Sequence, residues 1–295
     1  MATYTTFNQI GKAEDVSDII TNITPTDCPM YSLIKSEKVS ARTFDWQEDT
    51  LAAAGANAAV EGADVSAGTQ SPTTLRTNQC QILVKSFQIS ATADVIKTYG
   101  RAKETAYQMG KTLKEIKRDL ERAYVGVAQA AVADANGSTA RKMASVTAQI
   151  TDSTDAGSGS TDPLTEAKLL VAGQAAYTAG SEPSVLMIKP ADSLIVSGFA
   201  AASGRNREFA QTKTLVNVID LYVSPFGEYK VVLNRHQLTT HAFLIDPSMW
   251  RTCVLRPFTR TLLAKTGDSD QHMVNYEGSI KHMSFASDHM ITGLS

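Results

Sequence analysis

Residues 100–123 read GRAKETAYQMGKTLKEIKRDLERA, and this stretch decides the fold. Ala102, Ala106, Met109, Leu113, Ile116, Leu120, Ala123 and, just beyond, Val127 are spaced alternately four and three apart. That spacing puts all eight on one helical face. Lys103, Glu104, Lys111, Lys114, Lys117, Arg118 and Arg122 fall off it. The pattern predicts an amphipathic helix over residues 102–132, about 45 Å long at 1.5 Å per residue, ended by ADANGS at 133–138. Asp94 is expected to cap a first turn that Gly100 interrupts. Gly110 and Gly126 each cost about 1 kcal/mol against alanine in a helix, so close backbone packing is expected at both. A coiled coil is the rival reading, but alanines fill three of the eight seam positions. Between Lys97 and Arg122, eight Lys or Arg residues stand against four acids. This is either a solvated face with i,i+4 pairs such as Lys111–Glu115 and Lys117–Glu121, or a surface turned to a polyanion. Tyr99 and Tyr107 are the only aromatics there, not interleaving of the kind that stacks bases, which argues against sequence-specific recognition.

Upstream of this helix the chain is unlike an ordinary domain. TPTDCPMYSLI, residues 24–34, sets Pro25 and Pro29 just ahead of Met30, Tyr31, Leu33 and Ile34. Each proline disfavours α geometry in the residue before it, so residues 1–40 read as a stiff, extended arm with a short helix at 15–23. Residues 41–92 read as a long β-hairpin. TFDWQ alternates, with Phe44 and Trp46 on one face, and CQILVKSFQIS is expected as the returning strand. Between them, residues 52–76 hold eight alanines and three glycines, and their only charges are Glu61, Asp64 and Arg76. So long a connection is unusual inside a compact domain. It is either a disordered flap or a loop that orders against something else.

Downstream, TDSTDAGSGSTD at 151–162 reads as a linker. Residues 163–246 read as an α/β unit. Asp162 and Pro163 open a helix that stops at Gly180, SVLMIK is a buried strand, and Pro190 opens a second helix. LVNVIDLYVS and YKVVLN form a hairpin around PFGE, and HAFLID adds a strand. Residues 247–295 suggest antiparallel strands that must pair with earlier segments and cover the long helix.

The 295 residues carry a net charge of −2, so a protein whose main task is gripping nucleic acid is not indicated. Three scattered cysteines exclude a disulfide framework and fit a reducing compartment. The first 20 residues lack the apolar core of a secretory signal, and no apolar run is long enough to span a bilayer. A cytoplasmic, non-membrane protein is expected. Catalytic chemistry is not found. The GKT at 110–112 lies mid-helix and lacks the first glycine of a phosphate loop, since position 105 is threonine. AGSGST at 156–161 is not a nucleophile elbow. Asp268, Asp270 and His272 are expected in a solvated turn, and His236 and His241 as surface or hydrogen-bonded edge residues. No catalytic residue, metal ligand or cofactor is assigned.

Arm, hairpin and spine together would leave apolar edges bare on an isolated copy, and bare edges call for association. Repeated head-to-tail contacts close into rings when the geometry closes. EDVSDIITNITPTDCPMYSLI, TFDWQEDTLAAAGANAAVEGADV and GRAKETAYQMGKTLKEIKRDLERA, taken in this order, resemble the tailed-bacteriophage major capsid proteins with the Hong Kong 97-like fold, an α+β class. The resemblance implies an N-arm (1–40) and an extended E-loop (41–92) that reach neighbouring subunits. It implies a P-domain with the spine helix (93–150 and 247–295), a linker (151–162) and an A-domain (163–246) clustered at symmetry axes.

On that reading Pro25, Pro29, Met30, Tyr31, Leu33 and Ile34 anchor the arm on an adjacent copy or at the base of its own loop. Phe44, Trp46, Glu61, Asp64 and Arg76 serve the E-loop, and Arg251, Arg256 and Arg260 are candidate partners for the loop-tip acids. No lysine lies between Lys38 and Lys85, so the isopeptide weld of some relatives is not expected at the loop tip. The arm starts right after Met1, which implies a separate scaffolding protein. Pentamers and hexamers, a portal, a possible decoration protein, packaged double-stranded DNA and assembly in a bacterial host's cytoplasm are also implied. The alternatives are a protein-packaging nanocompartment shell of the same fold and an unfamiliar α/β enzyme.

Overall fold

The computed structural model describes residues 26–62, 64, 68, 70–98, 100, 103–134, 137–155, 162–202, 221–265 and 267–294. Pro25 and the expected helix at 15–23 lie outside them.

Helix α3 (Glu104–Val125) is the spine. Its 22 residues span about 33 Å, shorter than the sequence suggests. It stops at Gly126, where a Cβ would lie 2.3 Å from the carbonyl oxygen of His236, so only glycine allows that close approach. Gly110, by contrast, faces open space, so only one of the two glycines marks a close approach. The apolar stripe is buried through Ile116, Leu120 and Ala123, whereas Ala106 near the start of the helix is exposed. Asp94 does cap, but at a distance. It sits in a short helix α2 (Ala91–Val95), which Ser90 caps, and accepts from the backbone N–H (3.1 Å) and hydroxyl (2.8 Å) of Thr105 in the first turn of α3.

The spine covers a four-stranded sheet of order β1-β10-β11-β4. Its strands are β1 (Lys35–Lys38), β10 (Trp250–Leu262), β11 (Ser269–His282) and β4 (Gln81–Ser90). β1 runs parallel to β10, and β11 pairs antiparallel with both β10 and β4. Ile116, Leu120 and Tyr124 of the helix meet Val274, Tyr276, Ile280 and Trp250 in one core. The late strands thus pair with earlier segments, as expected.

The returning hairpin strand differs from expectation. β2 (Thr43–Glu48) pairs antiparallel with β3 (Thr74–Gln79), whereas CQILVKSFQIS supplies β4 of the spine sheet. β3 reads TLRTNQ, with no apolar alternation to announce it. It is held instead by polar contacts, chiefly the fully buried Asn78. That side chain donates to Ile280 O (2.7 Å) and accepts from the N–H of Ala144 (2.8 Å) and Gln79 (2.7 Å). The alternation in β4 is real, but its outer face carries Ile82 and Val84, both exposed, and Leu83 packs inward.

A six-stranded sheet follows, in the order β5-β12-β9-β6-β8-β7. Its strands are β5 (Asp152–Asp155), β6 (Val185–Ile188), β7 (Leu221–Ser224), β8 (Gly227–Leu233), β9 (Ala242–Ile245) and β12 (His289–Thr292). The strands predicted within 163–246 are present where described, LVNVID at 215–220 lying outside the described residues, but β5 comes from the expected linker and β12 from the C-terminal segment. Pairing continues past the predicted boundaries because β12 bonds to both β5 and β9. Helix α5 (Glu166–Thr178) starts three residues after Pro163, capped by Thr165 rather than Asp162, and Gly180 follows it at φ 87°. Helix α6 (Asp192–Ala202) completes the layer. The central strands are buried on both faces. Leu186, Ile188, Ala242 and Leu244 face a core shared with Leu169 and Val196, while Met187, Phe243 and Ile245 join the core under the spine.

Candidate assembly surfaces

The N-terminal arm segment meets its own spine first. Pro29 opens a helical turn, α1 (Pro29–Leu33), instead of holding an extended backbone. Proline at a first helical position loses no hydrogen bond and has its φ preset, and the restriction falls on Cys28, which is non-helical. Met30 is wholly buried and Ile34 nearly so, with Tyr31 and Leu33 packed beside them, against α3. The buried part of the run, Met30 and Ile34, therefore seats on its own spine, while Pro29, Tyr31 and Leu33 keep part of their surface exposed.

Glu121 fixes this seat. Its carboxylate accepts from the N–H of Met30 (2.8 Å) and Tyr31 (3.0 Å), donors that a helix start leaves unpaired. It also accepts from Asn234 Nδ2 (2.6 Å), a buried residue just past β8. Glu121 thus joins arm, spine and the six-stranded sheet, and is not the Lys117 partner expected from spacing. Burial pushes its carboxyl up, and these three hydrogen bonds offset that only in part. Glu115 likewise turns from Lys111 to Lys85 on β4 (3.5 Å), a cation that Asp119 shares (2.9 Å).

The base of the β2–β3 hairpin is clamped. Glu48 accepts from Phe285 N–H (2.8 Å), Ser284 Oγ (3.2 Å) and Arg76 Nε (2.8 Å), and the Arg76 guanidinium lies 4.2 Å over the Phe285 ring. Burial raises the Glu48 carboxyl, yet the Arg76 and Phe285 contacts outweigh it and hold it below the usual range. Trp46 is buried between Phe44 (ring centroids 5.8 Å) and Phe285 (6.2 Å).

Beyond the clamp the chain leaves its own body. Leu51 is 98% and Val60 81% exposed, and Glu61 and Asp64 are exposed too. Within the chain, none of the three candidate arginines reaches these acids, because each is engaged elsewhere. Arg251 donates to Ser248 O and Trp250 O (both 2.7 Å), Arg256 to Glu277 (2.6 Å), and Arg260 lies 3.3 Å from a ring nitrogen of His272.

His272 lies in β11, 3% exposed, not in a solvated turn. His236 and His241 are half-buried. His282 is enclosed between Trp250 and Phe285, and its Nε2 faces both Ser287 Oγ (2.8 Å) and Asp288 Oδ2 (3.2 Å). Serine and acid on the same ring nitrogen cannot form a relay through the ring. Among the described residues no group of three or more His, Cys, Asp or Glu side chains could hold a metal. Burial pushes the thiols of Cys28 and Cys80 up to about 11 and that of Cys253 to about 12, so all three stay protonated and unreactive at neutral pH. No described helix is long and apolar enough to cross a membrane.

A spine helix under two sheets, with a clamped hairpin whose tip projects, is a layout made for contact between copies. Comparison with known proteins agrees over the whole length, since residues 1–295 match the model of the SU10 major capsid protein family. The chain belongs to that family. The major capsid protein of Escherichia phage Phieco32 is 31% identical over 330 residues, covering 95% of this chain and 93% of the relative. Among solved structures, the capsid of a native GTA particle aligns with a TM-score of 0.64 at 11% identity, covering 96% of each chain. The holo-SrpI encapsulin complex of Synechococcus elongatus PCC 7942 aligns at 0.61 and 8% identity, covering 97% of this chain and 93% of that one. At such identities the structures speak for fold alone, which is Hong Kong 97-like. The family speaks for function: this major capsid protein builds a phage shell.

Proposed function

We propose that this capsid protein assembles as pentamers and hexamers into a closed shell around double-stranded DNA, each copy lending its neighbour the hairpin tip and the arm upstream of Cys28. The observation that carries this is the contrast within one hairpin. Its base is fixed by Glu48, Arg76 and Trp46, yet its tip leaves Leu51 and Val60 in solvent. Fixing the base presets the direction of the tip, which lowers the ordering cost of a contact. Many such modest contacts reinforce one another around a closed shell.

In this reading residues 1–40 are the N-arm, fastened at α1, and 41–79 the E-loop. The spine and its four-stranded sheet form the P-domain, and the six-stranded sheet with α5 and α6 forms the A-domain at the symmetry axes. Glu61 and Asp64 would meet cations of a neighbour. Arg256 remains a candidate because its side chain is half exposed beside Glu277. A scaffold, a portal and, as an optional addition, a decoration protein are the partners this reading gives the shell, and assembly would take place in the host cytoplasm.

Removing residues 1–24 tests the arm. The truncated chain should give folded subunits without shells in electron micrographs. Full-sized particles from it would contradict the arm's role. Particles of the intact chain that package protein and no nucleic acid would favour a nanocompartment.

A further inference from the structure

The cations of α3 remain unexplained by the packing. Lys111, Lys114, Arg118 and Arg122 recur at intervals of three, four and four, so they share one helical face. Ile116, Leu120 and Ala123 lie on the opposite face, in the core. Lys103, Lys111, Lys114 and Arg122 are exposed and Arg118 partly so. The acids of the same helix do not neutralise them. Glu115 and Asp119 hold Lys85, Glu121 is buried under the arm, and Glu104 accepts from Gln108 (2.7 Å). Among the described residues, Lys111, Lys114, Arg118 and Arg122 hold no carboxylate. The strip is local, since the whole chain carries −2.

We propose that this face of the spine is an inward-turned phosphate-binding surface, on which the backbone of the enclosed duplex lies. The proposal rests on the reading that the shell encloses DNA. Glu104 and Tyr107 begin the same face, but the four cations that follow hold no acid among the described residues, and such a row suits a polyanion read by charge. Such binding is independent of base sequence and releases counterions. The helix supplies a rigid row, so the charges keep their spacing without each contact being ordered anew. Loose contacts at many copies restrain packaged DNA while leaving it free to slide out.

Two measurements test this. First, intact shells of the full chain, filled and emptied of DNA, are treated with an amine-reactive reagent and read by mass spectrometry. Lys111 and Lys114 should react several-fold more in emptied shells, while exposed Lys35 and Lys230 react equally in both. Equal reactivity of Lys111 and Lys114 in filled and emptied shells overturns the proposal. If both stay protected after emptying, a protein segment covers the face. Second, the unassembled full chain is titrated with a 30-base-pair duplex over a range of salt. Replacing the four cations by glutamine, a good helix former, should lower the slope of log K against log salt by about 0.9 per charge. The variant K35Q/K38Q/K142Q/K230Q should leave the slope unchanged. An unchanged slope in the spine variant also overturns the proposal. Shells that never contain nucleic acid sink the DNA reading itself, whereas DNA-filled shells with reactive spine lysines sink only this assignment.

Discussion

Glu121 and Gly126, five residues apart, set the seat of the arm and the end of the spine. At Gly126 a methyl group would press first on the His236 backbone carbonyl, which cannot swing aside as the Arg122 side chain beside it can. G126A should therefore lose about 1–3 kcal/mol, while G110A, in open space on the same helix, should gain about 1 kcal/mol. Denaturant melts of the unassembled chain check both. Glu121→Ala strands the N–H of Met30 and the amide of Asn234, at about 1–3 kcal/mol for each buried donor. Glu121→Gln keeps an acceptor and should lose less. The Glu121 carboxyl is raised on folding, so the folded state binds more protons than the unfolded one. Its contribution is therefore full below the ordinary carboxylate pKa and is lost as pH rises toward the raised value. E121Q should flatten that part of the stability profile. Unchanged pH dependence in E121Q would show that Glu121 does not govern it.

Among the elements, the spine was legible and the hairpin only half so. Ile116, Leu120 and Ala123 declare the buried face because core packing and helical period agree there. Glu121 could not be found from spacing. In sequence it sits four residues after Lys117 like any surface pair, and only the arm folding back buries it. β3 was missed because its stability comes from Asn78, a buried amide with no periodic signature, so the apolar β4 was read as the return strand. The proline rule for the arm held for Cys28 and failed for Pro29, where tertiary burial of Met30 rewards a helical turn. The hairpin clamp makes its own prediction. Glu48 is depressed on folding, so its contribution is present above the ordinary carboxylate pKa and is lost as pH falls through the lowered value. Hydrogen exchange of β2 and β3 should therefore quicken under acid before the spine loosens. Replacing Glu48 by Gln should remove that acid sensitivity, and its persistence in E48Q would assign it to another group.

As a whole molecule, this capsid protein is complete in its two cores and incomplete at its projecting loop. The cores account for why one copy folds, and the proposed loop contact would account for why copies gather. Deleting residues 51–71 leaves Asp49, Thr50, Pro72 and Thr73 to join β2 to β3, a four-residue connection of common length. The described residues of the deleted segment are all exposed, so the melting temperature of the single subunit should barely move. Mass photometry of this variant beside the intact chain is the most direct test. The account predicts megadalton shells from the intact chain and only small species from the folded deletion variant, with the 31.7 kDa chain's mass reduced by the missing loop. Closed shells of normal size built from the deletion variant would contradict it.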